Sequence, residues 1–321
     1  MTILTKYEDI NRTDWNALIA QSRTATWFQT PEAYEFFGNQ ERYVPFACAV
    51  VREGRYVGVC VGYRTFRGVI YGGPALAEDA TDEEVCALMM AVRKVLKGRV
   101  IYIEQRNFND YSRWQSAFTQ AGFTYRPHLN FHIDTSSLET VENNLSKNRR
   151  RDIRASLRSG MEIIEHPTLE QAADFYGILR TLYRTKVKTP LPSFTFFRNL
   201  YYHPDGRILV VLYEGKVVGG VACIVWKGRC VYEWYVAGMD GVFKSVFPSS
   251  VATYAGLKYA AENGCPRFDM MGAGKPDTPY GVREFKARFG GVEVEHGRYE
   301  HICLPLLYHM GEWFVGWLKK K

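Results

Sequence analysis

What the chain lacks narrows its function first. None of its 321 residues belongs to an apolar run near the roughly 18 residues a membrane-spanning helix needs. Its seven cysteines (Cys48, Cys60, Cys86, Cys223, Cys230, Cys265, Cys303) are odd in number, scattered and never spaced C-x-x-C. That pattern disfavours a disulfide framework and a zinc ribbon and fits reduced thiols, most of them small core residues; a Cys223–Cys230 disulfide across an expected hairpin is the minor alternative. The opening MTILTKYEDINRTDW holds no apolar stretch and no small-residue cleavage site, so no secretory leader and a cytoplasmic setting are expected. GAGKPDTP (272–279) matches neither G-x-x-x-x-G-K-[ST] nor G-x-G-x-x-G, which argues against nucleotide hydrolysis and dinucleotide binding. There is no G-x-S-x-G elbow for a hydrolase triad. Of seven histidines only His128 and His132 are closely spaced, on an expected strand and without a nearby third ligand, so no metal is expected.

What is present suits a folded α/β protein. Hydrophobic residues make up 46% and aromatics 15%, enough to exclude a disordered chain. The formal charge of +7 favours anionic partners: phosphates, nucleic acid or a lipid surface. Alternating apolar runs predict strands at 43–51, 56–63, 69–71, 100–104 and 123–134, then at 161–165, 207–213, 217–226, 231–236 and 267–271. Helices are expected from Thr13-Asp14, from Thr30-Pro31, and over 81–96, 111–121, 139–160, 169–183, 194–201 and 249–263.

These elements repeat. EGRYVG (53–58) and EGKVVG (214–219) are each set at a hairpin tip. Each is followed by a strand, a helix of about fifteen residues, a strand, and a short helix rich in Phe and Gly. AFTQAGF (117–123) is thus the first-half counterpart of EFKARFGG (284–291), with Thr119 where the second half has Lys286. A strand meander followed by helix, strand, helix, strand is the order of an acetyltransferase-like (GNAT) unit. Two mixed-sheet α/β domains are expected, 1–138 and 139–321, with ligands expected in a cleft where they meet.

Four stretches could carry chemistry. In YGVREFKARFGG (280–291), Phe285 and Phe289 lie one helical turn apart. Lys286 beside them has no carboxylate at i+4, and Gly290-Gly291 can close the helix. An amphipathic helix with its aromatics in the core accounts for the same spacing. The 139–160 helix carries Lys147, Arg149, Arg150, Arg151, Arg154 and Arg158, a solvated face or a track for phosphates. Arg184, Lys186 and Lys188 alternate with uncharged residues in a loop that can contact a ligand. Asp269-Met270-Met271-Gly272 ends a strand where glycine allows close backbone approach. Neither half shows the Arg/Gln-x-x-Gly-x-Gly/Ala loop of ordinary acetyltransferases.

TWFQTPEAYEFF (26–37), NLSKNRRRDIRASLRSGMEI (144–163), ENGCPRFDMMGAG (262–274) and YGVREFKARFGGVEVEHGRY (280–299) together resemble the Fem-type peptidoglycan bridge aminoacyltransferases, the FemABX family. The resemblance implies two tandem GNAT-like domains, here without a long coiled-coil arm. It implies attack by an amine of a peptidoglycan precursor's stem peptide, UDP-linked or lipid-linked, on an activated aminoacyl group. The expected co-substrate is aminoacyl-tRNA, with no bound cofactor. Lys286 matches the family lysine credited with oxyanion stabilisation, and Phe285 is its aromatic neighbour. Arg184, with Lys186 and Lys188 as alternatives, lies where the family places a cation on the acceptor's diphosphate. Tyr280, Asp269 and Gly272 fall in the substrate-binding segments, and Lys147, Arg149, Arg150, Arg151 and Arg154 are candidates for the RNA backbone or a phosphate. Acyl-CoA transfer to a small amine or lipid, and a non-catalytic RNA-binding module, are the alternatives. The last stretch, LPLLYHMGEWFVGWLKKK (304–321), sets Trp313, Phe314, Trp317 and Leu318 beside three lysines, as in a segment lying on the inner membrane face; a final helix packed on the fold is the other reading.

Overall fold

In the computed structural model residues 1–320 are described, apart from the side chains of 312 and 314–320. The expected membrane contacts of Phe314, Trp317, Leu318 and the lysines at 319–321 lie outside the described residues. The first half runs β1 (Thr2–Leu4), α1 (Arg12–Gln21), α2 (Pro31–Gly38), β2 (Val44–Arg52), β3 (Arg55–Arg64), β4 (Gly68–Gly72), β5 (Ala75–Leu76), α3 (Asp82–Leu96), β6 (Tyr102–Asn107), α4 (Gln115–Gln120) and β7 (Thr124–Arg126). The chain continues through β8 (Leu129–Asp134), α5 (Leu138–Asn144), α6 (Lys147–Arg158), β9 (Glu162–Ile164), α7 (Leu169–Leu182), α8 (Phe194–Tyr202), β10 (Gly206–Tyr213), β11 (Lys216–Trp226), β12 (Cys230–Gly238), α9 (Pro248–Glu262), β13 (Arg267–Asp269), α10 (Gly281–Ala287) and β14 (Val292–Glu295). It ends with β15 (Arg298–Ile302) and α11 (Pro305–Lys320).

Two units result: residues 1–128 with 295–321, and residues 129–294. This departs from the expected division at 138/139, and strand pairing gives the reason. The first sheet has the order β1-β2-β3-β4-β6-β15-β7, the second β9-β10-β11-β12-β13-β8-β14. The orders match position for position, as the repeat predicts, except that β15 from the chain's end completes the first sheet while β8 completes the second. A break at 127–128 divides the expected strand 123–134 into β7 and β8, which belong to different sheets.

Local chemistry sets the helix starts. Thr30 Oγ1 accepts from Ala33 N with Pro31 in the first turn, and Thr81 and Glu84 form a capping box that opens α3. The expected single helix 139–160 is two helices. Leu145 turns extended and Ser146 Oγ accepts from Arg149 N, starting α6 afresh.

In each sheet two neighbouring strands part beyond a short pairing. In the first, β3 and β4 pair only at Tyr63–Val69 and Arg64–Gly68. Beyond that pairing the buried Gln29 amide bonds both strands: Nε2 donates to Val61 O (3.1 Å) and Tyr71 O (2.8 Å), and Oε1 accepts from Val61 N (2.8 Å). In the second, β12 pairs with β13 in parallel only from Cys230–Arg267 to Tyr232–Asp269, although β12 runs on to Gly238.

Candidate active site

Lys286 lies at the parting of β12 and β13. α10 starts at Tyr280 and ends through Gly290, whose φ of +79° is the left-handed geometry a helix C-cap favours. This helix directs the Lys286 ammonium to the carbonyls of Met270 and, at 2.9 Å, Gly272, with Glu233 Oε1 at 3.8 Å. Lys286 is only 8% exposed and Glu233 3%. Burial lowers the ammonium's pKa, opposed by Glu233 and Asp269. Burial also pushes the Glu233 carboxyl up to about 7, against the pull of Lys286 and Thr253. A carboxyl poised near neutrality against a buried ammonium is a pair whose charge state can change at working pH.

Glu233 owes its position to a β-bulge. On β12, Tyr235 faces Ala222 and Glu233 faces Cys223, so Trp234 is the extra residue. Bulges of this kind re-aim side chains beside functional sites. The sequence contained the signal: Glu233 is the lone charge in CVYEWYVAG, an otherwise uncharged strand.

Beneath the parting, Asp269 is fully buried. Its carboxylate takes Asn130 Nδ2 (2.7 Å) and Met271 N (2.7 Å), and lies 3.1 Å from His132 Nε2. Burial alone raises a carboxyl's pKa, but His132, Asn130 and Arg267 together hold this one below the usual range. Asn130 Oδ1 accepts from Gly272 N (2.7 Å). The expected substrate contacts of Asp269 and Gly272 are thereby corrected: the Asp269 carboxylate and both Gly272 backbone groups are spent on shaping the strand-end loop. Met271 (φ +54°) and Gly272 (φ +120°) are held in left-handed geometry by these bonds. His128 and His132, expected on one strand face, separate: His128 contacts Arg298 in the first unit and His132 serves Asp269 in the second.

The next loop is tied by Arg283, which donates to Ala273 O (3.2 Å), Pro276 O (2.9 Å), Thr278 O (3.2 Å) and Lys275 O. Tyr280 is 44% exposed, and its ring leaves no room for a side chain at Gly274. It is therefore open to a ligand beside Lys286's helix.

The basic helix divides by role. Arg149 is buried, with its guanidinium 4.3 Å from the Phe285 ring and 4.5 Å from Phe289, donating to Ser250 Oγ and Phe285 O (3.2 Å). Burial and nearby Arg288 push its pKa down to about 10. Its expected phosphate contact is corrected, since it clamps α6 to the aromatic face of α10. Phe285 is thus partly committed to this stack, and Phe289 is a fully buried core residue. Arg150 donates to Asn143 O and Leu145 O across the α5–α6 joint. Lys147, Arg151 and Arg154 remain exposed, the last two beside Asp152 and Glu142.

Arg184, Lys186 and Lys188 lie exposed in the turn after α7, and among the described residues none pairs with a carboxylate. Lys188 is left-handed (φ +54°). Tyr183 ties this turn to β12, its ring 6.2 Å from that of Tyr235. Lys286, Phe285, Tyr280, Asp269 and Gly272 therefore converge with the unforeseen Glu233, Asn130 and Arg283, while the Arg184 turn reaches the same strand through Tyr183.

Residues 144–286 match the model of the acetyltransferase (GNAT) domain. No curated protein matches the chain. Among solved structures, the crystal structure of FemX is similar with a TM-score of 0.70 and 14% identity, over 97% of this chain and 99% of that one. L-PGS from Bacillus licheniformis is similar with a TM-score of 0.59 and 13% identity, over 95% and 97%. A tandem GNAT protein from the clavulanic acid biosynthesis pathway is similar with a TM-score of 0.58 and 10% identity, over 94% and 99%. The chain has a tandem GNAT-like fold, similar to the fold of FemX, as its repeat and motifs predict.

Proposed function

We propose that the protein is an acyltransferase that moves an activated aminoacyl group, with aminoacyl-tRNA as donor, to an amine of a peptidoglycan precursor. The observation that carries this reading is the buried Lys286–Glu233 pair at the parting of β12 and β13. In the reaction an amine attacks the ester carbonyl. A C–N bond forms, the C–O bond to the ribose breaks, and the proton lost by the amine ends on the leaving oxygen. The tetrahedral intermediate carries an oxyanion. An ammonium in a water-poor setting stabilises it far better than one in bulk water. Lys286 meets that need by exchanging one carbonyl partner for the substrate oxygen. Glu233 sets the local charge: ionised it neutralises Lys286, and protonated it leaves the ammonium's charge uncompensated.

The exposed cations supply the binding charge in this reading. Arg184, Lys186 and Lys188 bind the acceptor's diphosphate, and Lys147, Arg151 and Arg154 contact the RNA backbone. The test is a mass-spectrometric transfer assay with charged tRNA and UDP-linked precursor. Transfer that requires Lys286 supports the reading; transfer undiminished in Lys286→Met overturns its assigned role.

A lipid-linked or lipid acceptor is the second reading, favoured by α11. Leu306, Met310 and Trp313, at helical spacing, are 83%, 66% and 74% exposed. No helix of the described residues is long and apolar enough to cross a membrane. Co-sedimentation with anionic vesicles distinguishes this reading, which fails if Trp313→Ser leaves vesicle binding unchanged. Stabilisation by an acyl-CoA instead of charged tRNA would move the donor assignment to the thioester.

A further inference from the structure

A second charged cluster lies in the first unit, on one face of its sheet. Alternation along paired strands puts Glu104 and Arg106 of β6, Arg298 and Glu300 of β15, and Arg126 of β7 on that face. Arg67, in the turn before β4, reaches the same carboxylate. Glu104 receives Arg106 through Nε (3.0 Å) and Nη2 (2.9 Å) and Arg298 through Nη1 (2.5 Å), with Arg67 Nη1 at 3.7 Å. Arg126 Nε lies 3.7 Å from Glu300. Four guanidiniums thus face two carboxylates, leaving two positive charges over.

The arrangement is layered. Side-chain exposure is 12% for Glu104 and 14% for Glu300, against 24%, 27%, 32% and 58% for Arg106, Arg298, Arg67 and Arg126. The carboxylates form the floor and the guanidiniums the opening. Two donors are unspent: among the described residues Arg106 Nη1 and Arg67 Nη2 have no acceptor, whereas Arg298 is engaged through Nη1 with Glu104 and through Nη2 with His128, and its Nε is buried. The Arg106 guanidinium is braced 5.3 Å above the Tyr71 ring with its Nε and Nη2 on Glu104, so its remaining Nη1 is already oriented. Mutual repulsion is visible too, since burial and the neighbouring Arg106 push Arg298 down to about 10. A cluster built only for stability has no need of two surplus charges held close together with donors unspent.

We propose that Arg67, Arg106 and Arg298 form a binding site for a phosphate or diphosphate group. Two surplus charges match a dianion, and the unspent Arg106 Nη1 and Arg67 Nη2 can donate to separate oxygens of a phosphoryl group, with Arg298 contributing charge. The site lies wholly within the first unit, and its occupancy does not depend on the transfer chemistry proposed for the second.

Calorimetric titration of the full chain with inorganic pyrophosphate, orthophosphate and UDP tests it. Saturable binding of pyrophosphate is expected, weakened about tenfold or more by Arg298→Gln and by Arg67→Gln. Arg55→Gln, an exposed arginine elsewhere in the same unit, leaves it unchanged. Orthophosphate binding as tightly as pyrophosphate marks a single phosphoryl subsite, and UDP binding more tightly marks a diphosphate ester. Arg67 lies at the rim, bonded to Tyr102 Oη (3.1 Å) and 3.7 Å from Glu104, so its variant remains informative if Arg298→Gln fails to fold. Absence of binding by all three ligands, or binding undiminished in Arg67→Gln, overturns the proposal.

Discussion

Gln29 and Lys286 do the same mechanical job in different units, and the difference between them separates structure from chemistry. Each fills a place where sheet strands part. Gln29 offers a neutral amide that both donates and accepts, so it satisfies Val61 N, Val61 O and Tyr71 O and leaves no charge. Lys286 can only donate. It takes the carbonyls of Met270 and Gly272 and brings a positive charge that requires Glu233 nearby. The amide closes its sheet, whereas the ammonium stores electrostatic potential in its own. In the first unit, moreover, the parallel pair β4–β6 is paired along all of β4, Gly68–Ile103 to Gly72–Asn107; its counterpart β12–β13 stops after three pairs. The repeat has kept one parallel junction shut and opened the other.

Exchanging the two plugs for apolar residues tests this contrast most severely. Lys286→Met is expected to lower transfer by at least about a hundredfold while the protein still folds, by circular dichroism. Gln29→Leu should do the reverse. Losing three buried hydrogen bonds costs about 3 kcal/mol in urea denaturation, with turnover per folded molecule retained. If Gln29→Leu abolishes transfer in folded protein, or Lys286→Met merely destabilises, the division of roles fails.

Glu233→Gln sharpens the charge argument at a smaller scale. Its folded pKa, about 7, lies above the ordinary carboxyl value, so the folded state holds this proton more tightly than the unfolded chain does. Burial of the protonated acid therefore favours folding below the unfolded pKa, and that contribution is lost as pH rises through about 7. The glutamine variant should nearly match wild type at about pH 4.5 and exceed it by about 3 kcal/mol at about pH 8. Thermal melts across that range measure it, and a stability difference that does not change with pH removes the titrating carboxyl from the account. The smallest effect belongs to Thr119, the first-unit counterpart of Lys286. It is exposed and its hydroxyl donates to Gln115 O, so Thr119→Ala should change neither transfer nor stability by more than about 0.5 kcal/mol. A larger loss would give the first unit's α4 a role the comparison denies it.

Local signals carried much of this into the sequence. Thr30-Pro31, Thr81-Glu84 and Gly290 act within a turn of themselves, so helix ends were legible. The repeat disclosed the doubled unit because both halves share hairpin tips and element order. What escaped depends on distant partners. Nothing near Arg149 tells that Phe285 and Phe289, more than a hundred residues on, will bury it. Asp269 reads as a strand-end acid until Asn130 and His132 claim it. The unit boundary escaped because β8 and β15 each pair with strands far away in sequence, and spacing along the chain does not encode such pairing.

That exchange of strands also orders events in time. Arg298 of β15 meets Glu104 of β6 across 194 positions of chain. A ribosome emits the first unit's strands early, but their sheet is finished only when residues 298–302 emerge, after the second sheet has received its last strand, β14. The half made first is thus completed last. Until residues 298–302 emerge, β6 and β7 wait without the strand that pairs with both.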